Sequence, residues 1–291
     1  MKMKKNSLGL ISLIFLTGIF FISCNEKNKG GIARLKYDGK ELNADSIAIK
    51  TTSHLFNDTA KPCCELDIHF TYIKDATDKV VKDSINNSLM NICFGSKYKG
   101  MDPQKAVAMY KEDYVKGYKQ DVEQFYLADQ KKKPDDEFTY AWYNYTKSIR
   151  TDVMFCDEGV LVFEINTNEY TGGAHGYKAT LFQNFNMETG KRIQLKDLFS
   201  EVNKEALTRL LLAQLEKDNK VTSEAELEDI GYFITEPLYP TENFYFTDKG
   251  ICFFYNVYEI APYSMGTTTI KLPYSAVKPL MNEENPVSKL Y

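Results

Sequence analysis

The sequence feature that most constrains the fold is a change of hydrophobic periodicity near the middle of the chain. Up to about residue 138, apolar residues recur at the spacing of amphipathic helices in two segments. Beyond that point, apolar and polar residues alternate with the period of two that is typical of half-buried strands. Helices and strands in separate blocks predict an α+β fold with two domains, each an antiparallel sheet packed with helices.

The first half of the chain is predicted to contain a strand followed by two helices. The strand is predicted over residues 66–73, where apolar residues alternate and His69 falls on the polar face. The first helix ends at Gly95, and the second has Asp102 as its cap and Pro103 in its first turn. Each helix has one apolar face, formed by Val81, Ile85, Leu89 and Ile92 in the first and by Val107, Tyr110, Tyr114, Tyr118, Val122 and Phe125 in the second.

Strands dominate the chain after these helices. A three-stranded meander is predicted over residues 142–156, 160–170 and 177–185. It completes an N-terminal α+β domain over residues 36–187. A turn at residues 188–191 then opens a C-terminal α+β domain over residues 188–291, which contains a leucine-rich helix, a hairpin and a final strand.

The first residues predict export and lipid attachment. Three lysines and no acid occupy residues 1–5, an apolar run follows, and a small residue precedes Cys24. This pattern predicts a lipoprotein signal peptide over residues 1–23, acylation of Cys24 and a tether over residues 24–35. A membrane anchor is the alternative, but the apolar run of about 15 residues is shorter than the roughly 20 that a span requires. We expect an outer membrane lipoprotein, facing the periplasm or the cell surface, that contacts the lipid bilayer through acylated Cys24.

Charge and cysteine content narrow the set of partners. Loss of the three lysines of the signal peptide would change the formal charge from −4 to −7, and an acidic chain is a poor partner for nucleic acid. Five cysteines remain after Cys24, which is an odd number, and a bridge from Cys63 or Cys64 to Cys93 is an open alternative. No CxxC motif occurs, and neither a metal nor a cofactor is predicted.

The sharpest local feature is the segment Tyr170-Thr-Gly-Gly-Ala-His-Gly-Tyr177. Three glycines within five residues allow backbone conformations that other residues avoid, and they leave amide groups accessible to a ligand. We predict that Tyr170, Gly172, Gly173, His175 and Tyr177 belong to a binding surface. The alternative is a tight turn in which the glycines only reverse the chain and His175 only fastens it.

A second segment, residues 255–266, ends a strand and enters a turn that contains proline and glycine. Glu259 and Tyr263 from this segment are predicted binding residues, and Glu259 is a candidate polar partner of His175. No catalytic residue is predicted, because Ser264 lacks the context of a nucleophile elbow. A lone histidine and a lone carboxylate are weak evidence for catalysis.

These segments also carry a resemblance to an envelope module of unknown activity. The residues that resemble it are 170–176, 188–191, 195–199, 258–266 and 272–274. The module is found in the extracytoplasmic part of RsiV-type anti-sigma factors, which sense lysozyme, and before the catalytic domain of some peptidoglycan deacetylases. Many Bacteroidetes lipoproteins resemble this chain over their whole length.

The resemblance implies a lipid-anchored binding or sensing module whose partner is a cell-wall glycan or a lysozyme-like wall-acting protein. We expect this chain to be neither a complete anti-sigma factor nor a complete deacetylase. Only residues 1–5 precede the apolar run, where an anti-sigma factor has a cytoplasmic segment, and no catalytic domain follows the module. The alternative is an envelope hydrolase or deacetylase that uses His175 and acidic neighbours. A shallow aromatic surface would favour binding, whereas His175 bonded to a carboxylate in a deep pocket would favour the enzyme.

Overall fold

The α+β class is confirmed by the computed structural model, which describes residues 33–132, 141–233 and 237–291. The predicted signal peptide, Cys24 and most of the tether lie outside the described residues. The described strands form two sheets, one of six strands and one of three. Within the same ranges, no helix is long and apolar enough to cross a bilayer.

The larger sheet is mixed, with its six strands in sequence order. The strands are β1 (Ala33–Tyr37), β2 (Lys40–His54), β3 (Cys63–Ala76), β4 (Tyr145–Asp157), β5 (Val160–Tyr170) and β6 (Tyr177–Asn186). All neighbours are antiparallel except β3 and β4, which are parallel. This parallel pair differs from the antiparallel sheet of the sequence prediction. It arises because a crossover of two helices between β3 and β4 returns the chain in the same direction.

The hairpin of β1 and β2 is absent from the sequence prediction. Asp38 and Gly39 connect the strands with φ angles of 45° and 73°, the left-handed backbone of a two-residue hairpin turn. In β2 only Leu42 and Ala44, near its start, are buried. The hydrophobic pattern is therefore weak over most of this strand. An Asp-Gly pair between apolar residues is the signal that identifies such a hairpin.

Two helices, α1 (Lys79–Phe94) and α2 (Pro103–Lys132), pack on one face of the larger sheet. Their predicted ends are confirmed: Gly95 follows α1 with a φ of 103°, and the Asp102 carboxylate accepts hydrogen bonds from N–H groups in the first turn of α2. The predicted stripe of α2 is wrong at its end, since Phe125 is 60% exposed and Tyr126 only 2%. Tyr126 lies four residues after Val122, on the same face of the helix, and therefore enters the core.

The smaller sheet is the antiparallel meander of β7 (Phe244–Phe246), β8 (Gly250–Tyr255) and β9 (Thr268–Pro273). The α-helices of this part of the chain are α3 (Leu195–Leu198), α4 (Glu201–Asn219), α5 (Glu224–Asp229) and α6 (Tyr274–Val277). Leu207 and Leu211 of α4 pack with Phe244 and Phe253 in one core. The predicted leucine-rich helix, hairpin and final strand are thus confirmed.

The first part of strand β5 is buried on both faces and contributes to two hydrophobic cores. Leu161 and Phe163 belong to the core beneath α1 and α2, whereas Val160 and Val162 belong to the core of the smaller sheet. All four side chains are fully enclosed. Burial on both faces explains why this strand begins as a continuous apolar run. Whether the chain divides into domains at residue 187 stays a prediction.

Strand β6 lies at the edge of the larger sheet, where asparagine side chains join it to the smaller sheet. Asn243 Oδ1 accepts a hydrogen bond from the N–H of Phe182 at 2.8 Å, and its Nδ2 donates to the carbonyl of Thr180 at 2.9 Å. Asn184 Nδ2 donates to the carbonyl of Phe244 at 2.7 Å. These bonds satisfy backbone groups that an edge strand leaves without a partner strand.

Candidate functional site

The glycine–histidine loop, residues 171–176, connects β5 to β6 at one end of the larger sheet. Gly172 and Gly173 have φ angles of 87° and 99°, which favour glycine over residues with a Cβ atom. A Cβ atom on Gly172 would also lie 2.6 Å from the backbone oxygen of Trp142. The Tyr170 hydroxyl donates to the carbonyl of Gly173 at 2.9 Å. The glycines are therefore required for this turn, and Tyr170 closes it.

The second predicted segment forms a compact turn, residues 256–266, between β8 and β9. The Glu259 carboxylate accepts a hydrogen bond from the N–H of Asn256 at 2.9 Å, and the N–H of Tyr258 donates to the carbonyl of Ala261 at 3.1 Å. Glu259 and His175 were predicted to form a polar pair, but no hydrogen bond or ion pair joins them in the described structure. Glu259 instead fastens the turn to which it belongs.

The two segments meet through their aromatic rings. The His175 ring lies 5.8 Å from the Tyr263 ring, centroid to centroid, and the Tyr263 ring lies 5.6 Å from that of Tyr258. Both tyrosines are about half exposed, and His175 is exposed as well. We call His175, Tyr258 and Tyr263 the aromatic surface. It is a shallow, solvent-facing row of rings, which is the arrangement that favours binding over catalysis.

Asn256 explains why these distant segments meet. Its Oδ1 accepts a hydrogen bond from the N–H of Thr180 at 2.8 Å, and its Nδ2 donates to the carbonyl of Thr180 at 3.1 Å. Thr180 lies near the start of β6, shortly after the glycine–histidine loop. The turn that carries Tyr258 and Tyr263 is thus attached to the strand that begins at the end of this loop.

The remaining predicted binding residues have different positions. Tyr177 is 62% exposed at the start of β6, where it pairs across the strands with Glu169. Tyr258 belongs to the aromatic surface but is absent from the predicted binding residues. Its backbone has a φ of 70°, which is rare for a tyrosine. The sequence contains no specific signal for this conformation, because it depends on the hydrogen bonds of the folded turn.

The described residues contain no disulfide, so the alternative bridge to Cys93 is not formed. Cys64 and Cys93 lie in different hydrophobic clusters. Burial raises the pKa of the Cys64 thiol to about 11, which keeps it protonated and unreactive at neutral pH. Within the described ranges, no three histidine, cysteine or acidic side chains are placed to hold a metal ion. The expectation that no cofactor is used stays a prediction.

Two protein-family models match the chain. A model described as a deacetylase, PdaC, matches residues 58–178, and a model for a protein of unknown function, DUF3298, matches residues 196–275. No curated protein is significantly similar to the chain.

Solved structures with the same fold include proteins from two bacteria. A DUF3298 family member from Bacteroides fragilis is 46% identical, with a TM-score of 0.80 over 84% of this chain and 95% of that one. A DUF3298 family protein from Pseudomonas aeruginosa is 16% identical, with a TM-score of 0.60 over 83% of this chain and 95% of that one. At 16% identity, the second likeness shows the fold alone.

Proposed function

Because the chain belongs to the DUF3298 family, we propose that it is a lipid-anchored recognition module of the bacterial cell envelope that binds a cell-wall glycan. The match of residues 58–178 to a model named for a deacetylase supports an envelope context. The lipoprotein signal pattern that precedes Cys24 supports attachment to the outer membrane, with the module facing the periplasm or the cell surface. No catalytic step is part of the proposal.

The aromatic surface is the observation that carries the proposal. Exposed aromatic rings provide flat apolar faces for sugar rings and polar edges for their hydroxyl groups. Tyr258 and Tyr263 lie on a turn that the hydrogen bonds of Asn256 and Glu259 hold in place. A ligand would therefore meet rings that are already positioned, which lowers the entropic cost of binding.

The enzymatic alternative, a hydrolase or deacetylase that uses His175, has less support. The His175 ring contacts Tyr263, and none of the described carboxylates forms a hydrogen bond or ion pair with it. Glu259, its predicted partner, accepts the N–H of Asn256 instead. A general base needs a geometry that orients it toward the proton it removes.

A lysozyme-like wall-acting protein is the second candidate partner. Exposed tyrosines such as Tyr258 and Tyr263 are also typical of the central parts of protein interfaces. Co-sedimentation of the purified protein with isolated peptidoglycan sacculi, and capture on immobilised lysozyme, would separate the two partners. Retention by sacculi supports the glycan, and retention by lysozyme alone would replace it with the protein.

The same assay identifies the surface involved. Tyr263→Ala is expected to reduce retention at least fivefold, because it removes the central ring of the aromatic surface. Phe125→Ala is the matched control, since Phe125 is also a largely exposed aromatic residue, on α2. Equal retention of wild type and Tyr263→Ala would contradict the proposal.

Lipid attachment has its own test. We expect the protein expressed in its bacterial host to carry a diacylated N-terminal cysteine at position 24, and Cys24→Ala to leave the membrane fraction. Mass spectrometry that finds residues 1–23 still attached would show that this part of the proposal is wrong.

A further inference from the structure

The larger sheet has an open polar area beside the smaller sheet. On the face opposite α1 and α2, Val160, Val162 and Phe182 are covered by the core of the smaller sheet. Toward the other end of the same strands, the side chains become polar and line a groove of about 430 Å³. We call it the polar groove; its principal lining residues are Asp67, His69, Arg150, Asn166, Asn168 and Lys178.

The groove is built on two rows of residues that cross β3, β4, β5 and β6. One row is Asp67, Ser148, Asn168 and Lys178, and the other is His69, Arg150, Asn166 and Thr180. Neighbouring strands are about 4.8 Å apart, and rows two residues apart along a strand are separated by about 7 Å. The floor therefore measures roughly 14 by 7 Å, which matches one or two sugar rings.

Several hydrogen bonds order the floor of the groove. Thr180 Oγ1 donates to Asn166 Oδ1 at 2.7 Å, and Asn166 Nδ2 donates to the Glu164 carboxylate at 3.1 Å. Asn168 Nδ2 donates to Ser148 Oγ at 3.2 Å. The amide groups are thus oriented without a ligand, which is the condition for specific recognition of hydroxyl groups.

Three other polar side chains of the groove form no hydrogen bond with any residue that the structure describes. Arg150 and Lys178 are exposed, and neither forms an ion pair with any residue that the structure describes. His69 Nδ1 is enclosed and lacks a hydrogen bond; the Asp152 carboxylate lies 3.9 Å away and pairs with the ring only when the imidazole is protonated. Enclosed polar atoms in folded proteins are nearly always satisfied by protein, water or ligand. The enclosed imidazole nitrogen therefore marks a place for a polar group of a ligand, and the Arg150 and Lys178 cations, which form no ion pair with the described residues, favour an anionic one.

We infer that the polar groove binds a saccharide that carries a carboxylate. The Arg150 guanidinium matches the two oxygens of a carboxylate, and Lys178 supplies a second positive charge two strands away. Asp67 and Asn168 line the groove with acceptors and donors for hydroxyl groups. Asn168 and Lys178 face each other on β5 and β6, and the next pair along these strands is Glu169 and Tyr177, beside the glycine–histidine loop. The inference rests on the proposed glycan function and names the chemical class of the glycan.

The test compares two sugars that differ in one carboxylate. N-acetylmuramic acid carries a lactyl carboxylate that N-acetylglucosamine lacks. Binding of each to the full chain in detergent is measured by titration calorimetry. We expect N-acetylmuramic acid to bind roughly tenfold more tightly, which corresponds to one charged hydrogen-bonding contact. Arg150→Gln and Lys178→Gln should each abolish most of this preference.

Controls separate charge at the groove from charge elsewhere. Lys217→Gln removes the same charge from an exposed position on α4 and should leave the preference intact. Arg150→Lys should retain part of it, because the positive charge remains without the planar guanidinium. Unchanged circular dichroism and melting temperature would show that these surface variants fold.

The inference would be overturned by no binding of N-acetylmuramic acid, by equal affinity for both sugars, or by a preference that survives Arg150→Gln. An alanyl-glutamate dipeptide that binds as tightly as N-acetylmuramic acid would also overturn it, since the carboxylate would then come from peptide. The proposed function fails separately, when Tyr263→Ala leaves the retention by sacculi unchanged.

Discussion

Asn256 bonds to Thr180 through both polar atoms of its side chain, as the backbone of a neighbouring strand would. The Oδ1 atom accepts from the Thr180 N–H at 2.8 Å, and Nδ2 donates to the Thr180 carbonyl at 3.1 Å. One side chain thereby extends the hydrogen bonding of the larger sheet to the turn that carries Tyr258 and Tyr263.

Replacement of Asn256 by alanine is expected to destabilise the fold. Two hydrogen bonds are lost, at about 1 kcal/mol for each bond, and the partly buried N–H of Thr180 loses its partner, whereas the Thr180 carbonyl keeps its bond from Asn243 Nδ2. Urea denaturation should show a decrease of about 2 kcal/mol in the free energy of unfolding. Asn91→Ala, an exposed site on α1 with no side-chain hydrogen bond to the described residues, should change it by less than about 0.5 kcal/mol. Similar values for both variants would argue against this role of Asn256.

The two central glycines of the glycine–histidine loop are expected to differ in their tolerance of a side chain. Both have positive φ angles, but a Cβ atom on Gly172 would lie 2.6 Å from the Trp142 oxygen, whereas one on Gly173 would meet nothing within 4 Å. Gly173→Ala should cost about 1–2 kcal/mol through backbone strain alone. Gly172→Ala should cost more, because the Trp142 backbone must move. Equal unfolding free energies would show that the close approach to Trp142 is unimportant.

The His175 side chain is expected to contribute to binding and not to stability. His175 is exposed, and its contact in the described structure is the Tyr263 ring. The variant His175→Ala should keep the wild-type melting temperature within about 2 °C, because exposed substitutions change the free energy of unfolding by less than about 0.5 kcal/mol. Retention by sacculi should fall. A clearly destabilised variant with unaltered retention would favour the structural alternative, in which His175 only fastens the turn.

The stability of the protein is expected to fall under alkaline conditions. Burial, together with the hydrogen bond to Asp129, raises the pKa of Tyr143 to about 12, and burial raises the pKa of Tyr255 further. A folded-state pKa above the unfolded value of about 10 gives stability that is complete below pH 10 and is lost as the pH rises toward the folded-state pKa. The urea midpoint should therefore decrease between about pH 10 and about pH 12. Tyr143→Phe should weaken this decrease, and a pH-independent midpoint would contradict the sign.

The two sheets are expected to unfold together. Val162 lies in the core of the smaller sheet and Phe163 in the core beneath α1 and α2, although the two residues are adjacent in β5. Val162→Ala and Phe163→Ala should each shift one common calorimetric transition, since unfolding of either core exposes β5. Two transitions that respond separately to the two variants would show that residues 36–187 and 188–291 are independent domains.

Local patterns in the sequence determined the secondary structure wherever one residue pattern was decisive. The stop at Gly95 and the cap at Asp102 depend on nearby residues only, and both are confirmed. The glycine–histidine loop was recognisable because three glycines in five residues have few structural uses. The β1–β2 hairpin was missed because β2 presents few buried apolar residues, although its Asp38-Gly39 turn is a strong signal.

Tertiary structure decided which distant residues meet. The sequence singled out His175, Glu259 and Tyr263, but only the fold places the His175 ring on Tyr263 and directs Glu259 to the N–H of Asn256. The polar groove has no local signature, because its residues come from β3, β4, β5 and β6. Sequence periodicity reports which face of a strand is polar, whereas strand order, register and the extent of the covering layer depend on long-range packing. These long-range features decide where the polar face of the sheet stays open.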